Sequence, residues 1–414
     1  MPPAVRAGTA VFSCLEEHTT WLTEEADFQA AKLKIPAWNV NANLQNAPIE
    51  NQAARSADLG KHEAGKGLPF DESSISLSTY CYGYGSEITG TPDPDTCAIA
   101  QMLAACLGGA PTAVDATTVK AATTPTTTSV AETAAGNNFA TSFICHKVGG
   151  RTYLRPIGGY ATDTMTLLMA LPTAPTAGDT LPGLISIVMS EDAMAHVLQG
   201  DVLKRNTTDA AKAGQNYKYF GAVGNFTLPE AGVAEAQTID FEFKVGKFSR
   251  YTNVARVAPT SARPTVAAGG EFRIGKYGNT ATTALRFLNV SVSPGRVYTP
   301  DPDANSDDGI NAWCLTDQDT MISITVHDDQ AVPTGISADN WPDCFNDGGS
   351  DNRFQLLLAY GNKYAGKILA FYFPCIQLER EPEDIDVGGL QAWKLTFSLV
   401  AGVQSENKIW AAIA

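Results

Sequence analysis

Ser74-Ile75-Ser76-Leu77-Ser78-Thr79-Tyr80 sets Ile75, Leu77 and Thr79 on one side of an extended chain and Ser74, Ser76 and Ser78 on the other. Side chains of a strand alternate between two faces, so this period of two describes a strand buried on one face and wet on the other. Ile322, Ile324 and Val326 repeat the pattern in the second half. Outward from these two segments, short β-rich runs bounded by Gly, Pro, Asp and Asn fill most of the sequence. Strands are expected at 34–44, 74–82, 141–148, 151–160, 164–171, 183–190, 217–228, 237–245, 271–277, 283–293, 320–327, 367–378 and 391–400. Helices are the minority. Behind Pro94 and Asp95, the residues Ile99, Met102, Leu103 and Leu107 recur at helical spacing, and Gly108 and Gly109 stop the run. A second helix is expected at 190–203 from Met194, Val197, Leu198 and Val202, capped by Ser190, and a third, shorter one at 352–360. The expected fold class is mainly β with a few short flanking helices.

The chain has 414 residues, and 29 Lys and Arg against 44 Asp and Glu give it a net charge of -15. A nucleic-acid groove needs clustered cations to displace counterions, and no such cluster occurs. An acidic channel that nucleic acid slides past is compatible with this charge. With 44% hydrophobic and 18% charged residues the chain can bury a core, which excludes a disordered protein. The longest apolar runs, 167–171 and 368–373, fall far short of the roughly 18 residues of a membrane helix, so no membrane span is expected. Residues 7–15 are too weakly apolar for a signal peptide. Eight cysteines are irregularly spaced, several within apolar strand or helix patterns, where a thiol serves as a small buried hydrophobe. Free thiols, folded in a cytoplasm, are expected.

Element order repeats although sequence does not. Strands at 34–44 and 74–82, joined by a long polar loop, lead to the helix near residue 100 and later to a hairpin at 217–245. Strands at 283–293 and 320–327, flanking a long loop at 294–319, lead to a short helix near 355 and a hairpin at 367–400. Strand, long loop, strand, helix, hairpin thus occurs twice, with an insertion in the first copy that includes the Thr-rich run 123–128. Duplication and a single fold with an added domain both fit. The expected organisation is an N-terminal arm at 1–30, a first β-sandwich at 31–250 with an inserted region at about 110–215, and a second at 251–414.

Motifs for chemistry are incomplete. Gly60, Gly65 and Lys66 match seven positions of a phosphate-binding loop, but the eighth is Gly67 instead of Ser or Thr, and Pro69 prevents the helix that would hold the phosphate. Asp301, Asp303, Asn305, Asp307 and Asp308 before Gly309 resemble a calcium loop. Ser306 and Ala312 stand where such a loop needs Gly and Glu, so a solvated acidic loop is the plainer reading. The acidic segment 339–351 has the same two readings. The histidines, His18, His62, His146, His196 and His327, lack metal-site spacing, and no nucleophile elbow occurs. Carboxylate pairs for glycoside chemistry meet only in space, and most aromatics lie within strands, where a core role fits them. No catalytic, cofactor-binding or metal-binding residue is expected, and the chain is not expected to be an enzyme.

The C-terminal part runs from 356–360 through Gly361, Asn362, Gly366 and Lys367 into the run 368–378, then the acidic 386–389 and the strand 393–399. It resembles the major tail proteins, or tail tube proteins, of long-tailed bacteriophages. In these a Gly-Asn turn precedes a strand ending near a proline, and an acidic loop leads to the last strand. Tyr217, Gly221 and 226–228 look like the same element in the first half, and 66–80 like the strand pair before the tube helix. The resemblance is one of architecture and composition over about two thirds of the chain and carries no catalytic signature. It implies a tail-tube-like β-sandwich of two roughly orthogonal sheets, self-assembling into stacked rings whose inner sheets join into a lumen. Duplicated chains would form trimeric rings and single-copy chains hexameric ones. The implied partners are further copies of itself and tape-measure, tail-terminator and tail-tip proteins, with DNA only in transit. The implied location is the virion tail, after assembly in the host bacterial cytoplasm. The alternative is another virion or adhesive β-sandwich protein, such as a capsid decoration or tail fibre, binding calcium through the 301–309 loop.

Overall fold

The computed structural model describes residues 10–16, 33–43, 73–120, 125–133, 142–192, 196–203, 216–231, 235–251, 269–303, 310–346, 352–361, 367–400 and 408–414. Strands β1 (Ala10–Glu16), β2 (Leu33–Asn43) and β3 (Ser74–Tyr80) precede helix α1 (Ala98–Leu107). Then come β4 (Thr112–Val114), β5 (Thr117–Thr118), β6 (Ser129–Ala131), β7 (Phe143–Val148), β8 (Arg151–Ala161), β9 (Thr164–Leu167), β10 (Thr180–Leu181) and β11 (Leu184–Val188). Strands β12 (Leu198–Leu203), β13 (Asn216–Thr227) and β14 (Thr238–Tyr251) follow, then β15 (Glu271–Lys276), β16 (Thr283–Ala284), β17 (Phe287–Ser293), β18 (Arg296–Pro302), β19 (Ile310–Gln318) and β20 (Met321–His327). Helix α2 (Trp341–Asn346) leads to β21 (Arg353–Tyr360), β22 (Leu369–Leu378), β23 (Glu383–Val387), β24 (Leu390–Leu399) and β25 (Trp410–Ile413). The fold is mainly β and sandwich-like, built from antiparallel sheets.

Three expectations change. Residues 198–203, read as the end of a helix, are strand β12, because Leu198 and Val202 are spaced to share a face of a strand as well as of a helix. The expected helix at 352–360 is strand β21, whose residues from Phe354 to Tyr360 are all buried and so show no alternation. The expected loop at 294–319 contains the hairpin β18–β19. Within the expected N-terminal arm, Ala10–Glu16 is a strand paired to β2 and β12.

The same unit occurs twice. Six strands close into a barrel in the order β1-β12-β13-β14-β3-β2, and in the second half six run β15-β21-β22-β24-β20-β17 within a larger sheet. Numbered by chain order within each unit, both read first, fourth, fifth, sixth, third, second, with a helix between the third and fourth strands. The registers agree as well. Ile75 lies between Phe243 and Ala42 as Ile322 lies between Phe397 and Val292. Phe12 faces Val202 as Phe272 faces Leu358. Even a bulge recurs: Gln199 stands opposite Phe220 and Gly221, and Gln355 opposite Pro374 and Cys375.

Unit one closes because β1 pairs with both β12 and β2, whereas the equivalent β15 pairs with β21 and the short β16. Phe12 stacks between Tyr219 and Phe243 inside the barrel at 5.3 and 5.7 Å. Helix α1, buried along nearly its whole length, packs against this core, and Gly108 ends it in the left-handed conformation at φ 68°. A Cβ on Gly109 would lie 1.8 Å from the Val188 carbonyl oxygen, so only glycine lets the chain pass β11 there.

The segment between α1 and β12 is the insertion that unit two lacks. Its four-stranded sheet, β6-β9-β8-β7, packs on the outward face of β21, β22 and β25, where Phe143 meets Tyr372 and Trp410 edge-on at 6.5 and 6.2 Å. Strand β11 continues the large sheet through β25 to β22. Arg155 on β8, fully buried, forms a two-pronged ion pair with Glu271 on β15 through Nη1 at 2.8 Å and Nη2 at 2.6 Å. It also donates to the Ala170 and Leu154 carbonyls, so its burial costs little in lost hydrogen bonds.

Candidate assembly surfaces

Unit one is joined to unit two by an antiparallel β-bridge. Just past the end of β13, the Leu228 amide donates to the Val292 carbonyl on β17 at 2.8 Å, and the Val292 amide donates back at 3.1 Å. Beside the bridge Phe226 stacks on Phe371 at 5.5 Å, and Asn289 Nδ2 donates to Glu230 at 3.4 Å. The joint is between unlike surfaces: the fifth strand of one unit meets the second strand of the next.

The hairpin β18–β19, which connects the second and third strands of unit two, lies over unit one. The Arg296 guanidinium caps the end of α1, donating to the Leu107 carbonyl and, at 2.7 Å, to that of Ser190. A cation there also complements the negative end of the helix dipole. Burial lowers the pKa of this guanidinium, with Tyr298 and Cys106 opposing the shift. Tyr298 donates to the Cys106 carbonyl at 3.3 Å, and Trp313 Nε1 donates to the Gly221 carbonyl at 2.8 Å. That carbonyl belongs to the bulge the two units share. Tyr298, Ile310 and Trp313 form a small core with Val197, Phe220 and Val223. The opposite side of the hairpin leaves Val297, Thr299, Cys314 and Thr316 exposed.

The outward faces of β3, β13 and β14 carry Ser76, Ser78, Asn225, Thr227, Asp240 and Glu242 along a groove of about 280 Å³. In unit two the equivalent faces carry Ser323, Thr325, Lys394 and Thr396. Of these, Thr325 and Thr396 are buried, and Lys394 is a cation where unit one has Asp240.

The motif residues do not come together into a site. Gly60, Gly65 and Lys66 lie outside the described residues, as do His18, His62 and residues 304–309. Asp301 is described and accepts a hydrogen bond from Asn311 at 3.2 Å. The segment 339–351 includes α2, and its residues 347–351 are outside the described set. Among the described residues no three His, Cys, Asp or Glu are grouped to hold a metal ion. His146 is buried and faces Asp179 at 3.3 Å. The Thr176 amide and hydroxyl, ahead of His146, hold the Asp179 carboxyl below its ordinary value.

All eight cysteines are free thiols, and Cys314 is the exposed one. Burial pushes Cys97 up to about 11 and Cys145 up to about 12, and raises Cys14, Cys81 and Cys106 as well. Such thiols stay protonated and inert. No described helix is long and apolar enough to cross a membrane. Sequence reasoning missed the surfaces of the β18–β19 hairpin, although Ile310, Trp313 and Leu315 mark an amphipathic strand there.

Compared with models of known protein families the chain matches none, and no curated protein matches it.

Proposed function

We propose that this chain is a structural virion protein that self-assembles into stacked rings, forming the tail tube through which a phage delivers its genome. The observation that carries the reading is the tandem pair of like units joined by unlike surfaces, since a heterologous contact repeated between copies builds a ring when its rotation closes. With two units in each chain, a trimer brings six units into one ring. The polar face of unit one around Ser76, Asp240 and Glu242 suits a lumen: short hydroxyl side chains there offer DNA no cationic hold, and carboxylates repel phosphate. The exposed side of the β18–β19 hairpin is available for contacts between rings or with tape-measure, terminator and tip proteins.

Negative-stain electron microscopy of the purified chain, with mass measured in solution at two concentrations, tests this. Rings or tubes with a central channel and threefold subunit count are expected. A chain that stays monomeric at high concentration and gives irregular aggregates overturns it.

A further inference from the structure

We infer that the groove on the outer face of the unit-one barrel is a calcium site, with the ion held between Asp240 and Glu242. The inference goes beyond the assembly reading and does not rest on it, since every ligand belongs to one unit of one chain.

Strands β3, β14 and β13 lie side by side, and their outward residues over the groove fall into two rows. Ser76, Glu242 and Asn225 form one row, and Ser78, Asp240 and Thr227 the other. Neighbouring strands are about 4.8 Å apart and same-face residues of one strand about 7 Å, so an ion between the rows is within reach of both carboxylates and of the flanking oxygens. Among the described residues neither carboxylate has a hydrogen-bond or ion-pair partner, although Lys244 follows Glu242 on the same face.

A second observation points to a ligand. Ser78 is only 9% exposed and lines the groove, and its hydroxyl has no hydrogen-bond partner among the described residues. Buried hydroxyls are normally partnered, because burial strips them of water, and an unpartnered hydroxyl oxygen keeps lone pairs for a metal ion. Asn225 Oδ1 accepts from the Phe226 amide at 3.0 Å, which holds this carbonyl and leaves it a second lone pair.

The chain supplies its own comparison. Because Phe243 and Phe397 hold the same place beside Ile75 and Ile322, Asp240 corresponds to Lys394 and Glu242 to Thr396. Lys394 faces Glu383 across β23 and β24. The same place in the fold thus carries a built-in cation in unit two and two carboxylates in unit one. Carboxylate, amide and hydroxyl oxygens in an open groove of about 280 Å³, with room for several waters, suit the irregular coordination of calcium better than the strict octahedron of magnesium. Two carboxylates cancel the charge of one such ion, so the loaded face still gives DNA no cationic hold. So small a ligand charge places Kd at about 10⁻⁴–10⁻³ M.

Calcium chloride is titrated calorimetrically into the full-length chain stripped with a chelator, and the melting temperature is followed with and without the ion. A single calcium per chain is expected, with magnesium about tenfold weaker. Asp240→Asn with Glu242→Gln, and separately Asp240→Lys, which copies unit two, should each weaken calcium about tenfold or more without lowering the melting temperature in chelator. Ser78→Ala should weaken it about two- to fivefold, and Asp301→Asn with Asp303→Asn should leave it unchanged. No heat and no melting shift in the wild-type chain at about 10 mM calcium would overturn the site. So would binding that the groove variants leave intact or that the Asp301 and Asp303 variant removes. Magnesium bound as tightly overturns the assignment to calcium. None of these results bears on ring formation, which the microscopy decides.

Discussion

Replacing Glu271 with Gln should destabilise the protein more than replacing its partner Arg155 with Met. Arg155 is fully buried, and its guanidinium contacts both Glu271 oxygens at 2.6–2.8 Å. Arg273 lies 3.5 Å from the same carboxylate, and both burial and the charge on Arg155 lower its pKa. Glu271 therefore serves two cations. Without its charge, two guanidiniums face each other in a partly dry site, and breaking a buried pair costs about 3–5 kcal/mol. Arg155→Met removes the costlier charge to bury and fills its volume with apolar atoms, while Glu271 keeps Arg273. The carbonyls of Ala170 and Leu154 then lose a donor, for about 1–3 kcal/mol. The double variant Arg155→Met with Glu271→Leu should recover much of the Glu271 loss. Urea unfolding of the four proteins at pH 7 ranks them. A Glu271→Gln loss below about 1 kcal/mol, or one smaller than that of Arg155→Met, would refute the reasoning.

Trp313→Ala should cost about 3–5 kcal/mol and, by hydrogen exchange, lower the protection of 296–302 and 310–318 before that of the barrel strands. A thiol reagent at pH 8 should label Cys314 quickly in the native protein and the other thiols only in denaturant. Asp179 has a folded pKa below its unfolded value near 4, so its contribution is complete at neutral pH and lost as pH falls through that range. Asp179→Asn should flatten the acid limb of a melting-temperature profile while leaving the alkaline limb in place.

Much of the β framework was legible because one face of a half-buried strand is written into every second residue. Ile75, Leu77 and Ile322, Ile324 announced β3 and β20, and Ile99, Met102, Leu103 and Leu107 announced α1. The misreadings occur where burial is not one-sided. Phe354 to Tyr360 is covered on one face by the unit-two core and on the other by the insertion, so its unbroken apolar run carries no period. Leu198 and Val202 fit either period, and the partner strands decided the matter. The order of elements in the repeat was partly visible, with the second-copy helix placed near 355 where β21 runs and α2 lying instead at Trp341–Asn346. The registers of the repeat were not, because equivalent positions share burial more than identity: Cys14 stands for Ile274, Leu77 for Ile324 and Phe241 for Leu395. No expected site residue was there to place, and the surfaces that replace a site depend on which edges lie beside one another.

Strand β25 has a consequence for how the polypeptide acquires its shape as it is made. Every ladder of the unit-one barrel lies within 10–251, so that barrel can form while later residues are still being added. Strand β11, made before the barrel is complete, pairs with β4 early but must wait more than two hundred residues of synthesis for β25, which sits between it and β22. Until Trp410–Ile413 emerge, the β11 edge and the apolar face around Phe143 are open to other chains. Slow synthesis across 369–413 should therefore favour misassembly more than slow synthesis anywhere in the barrel.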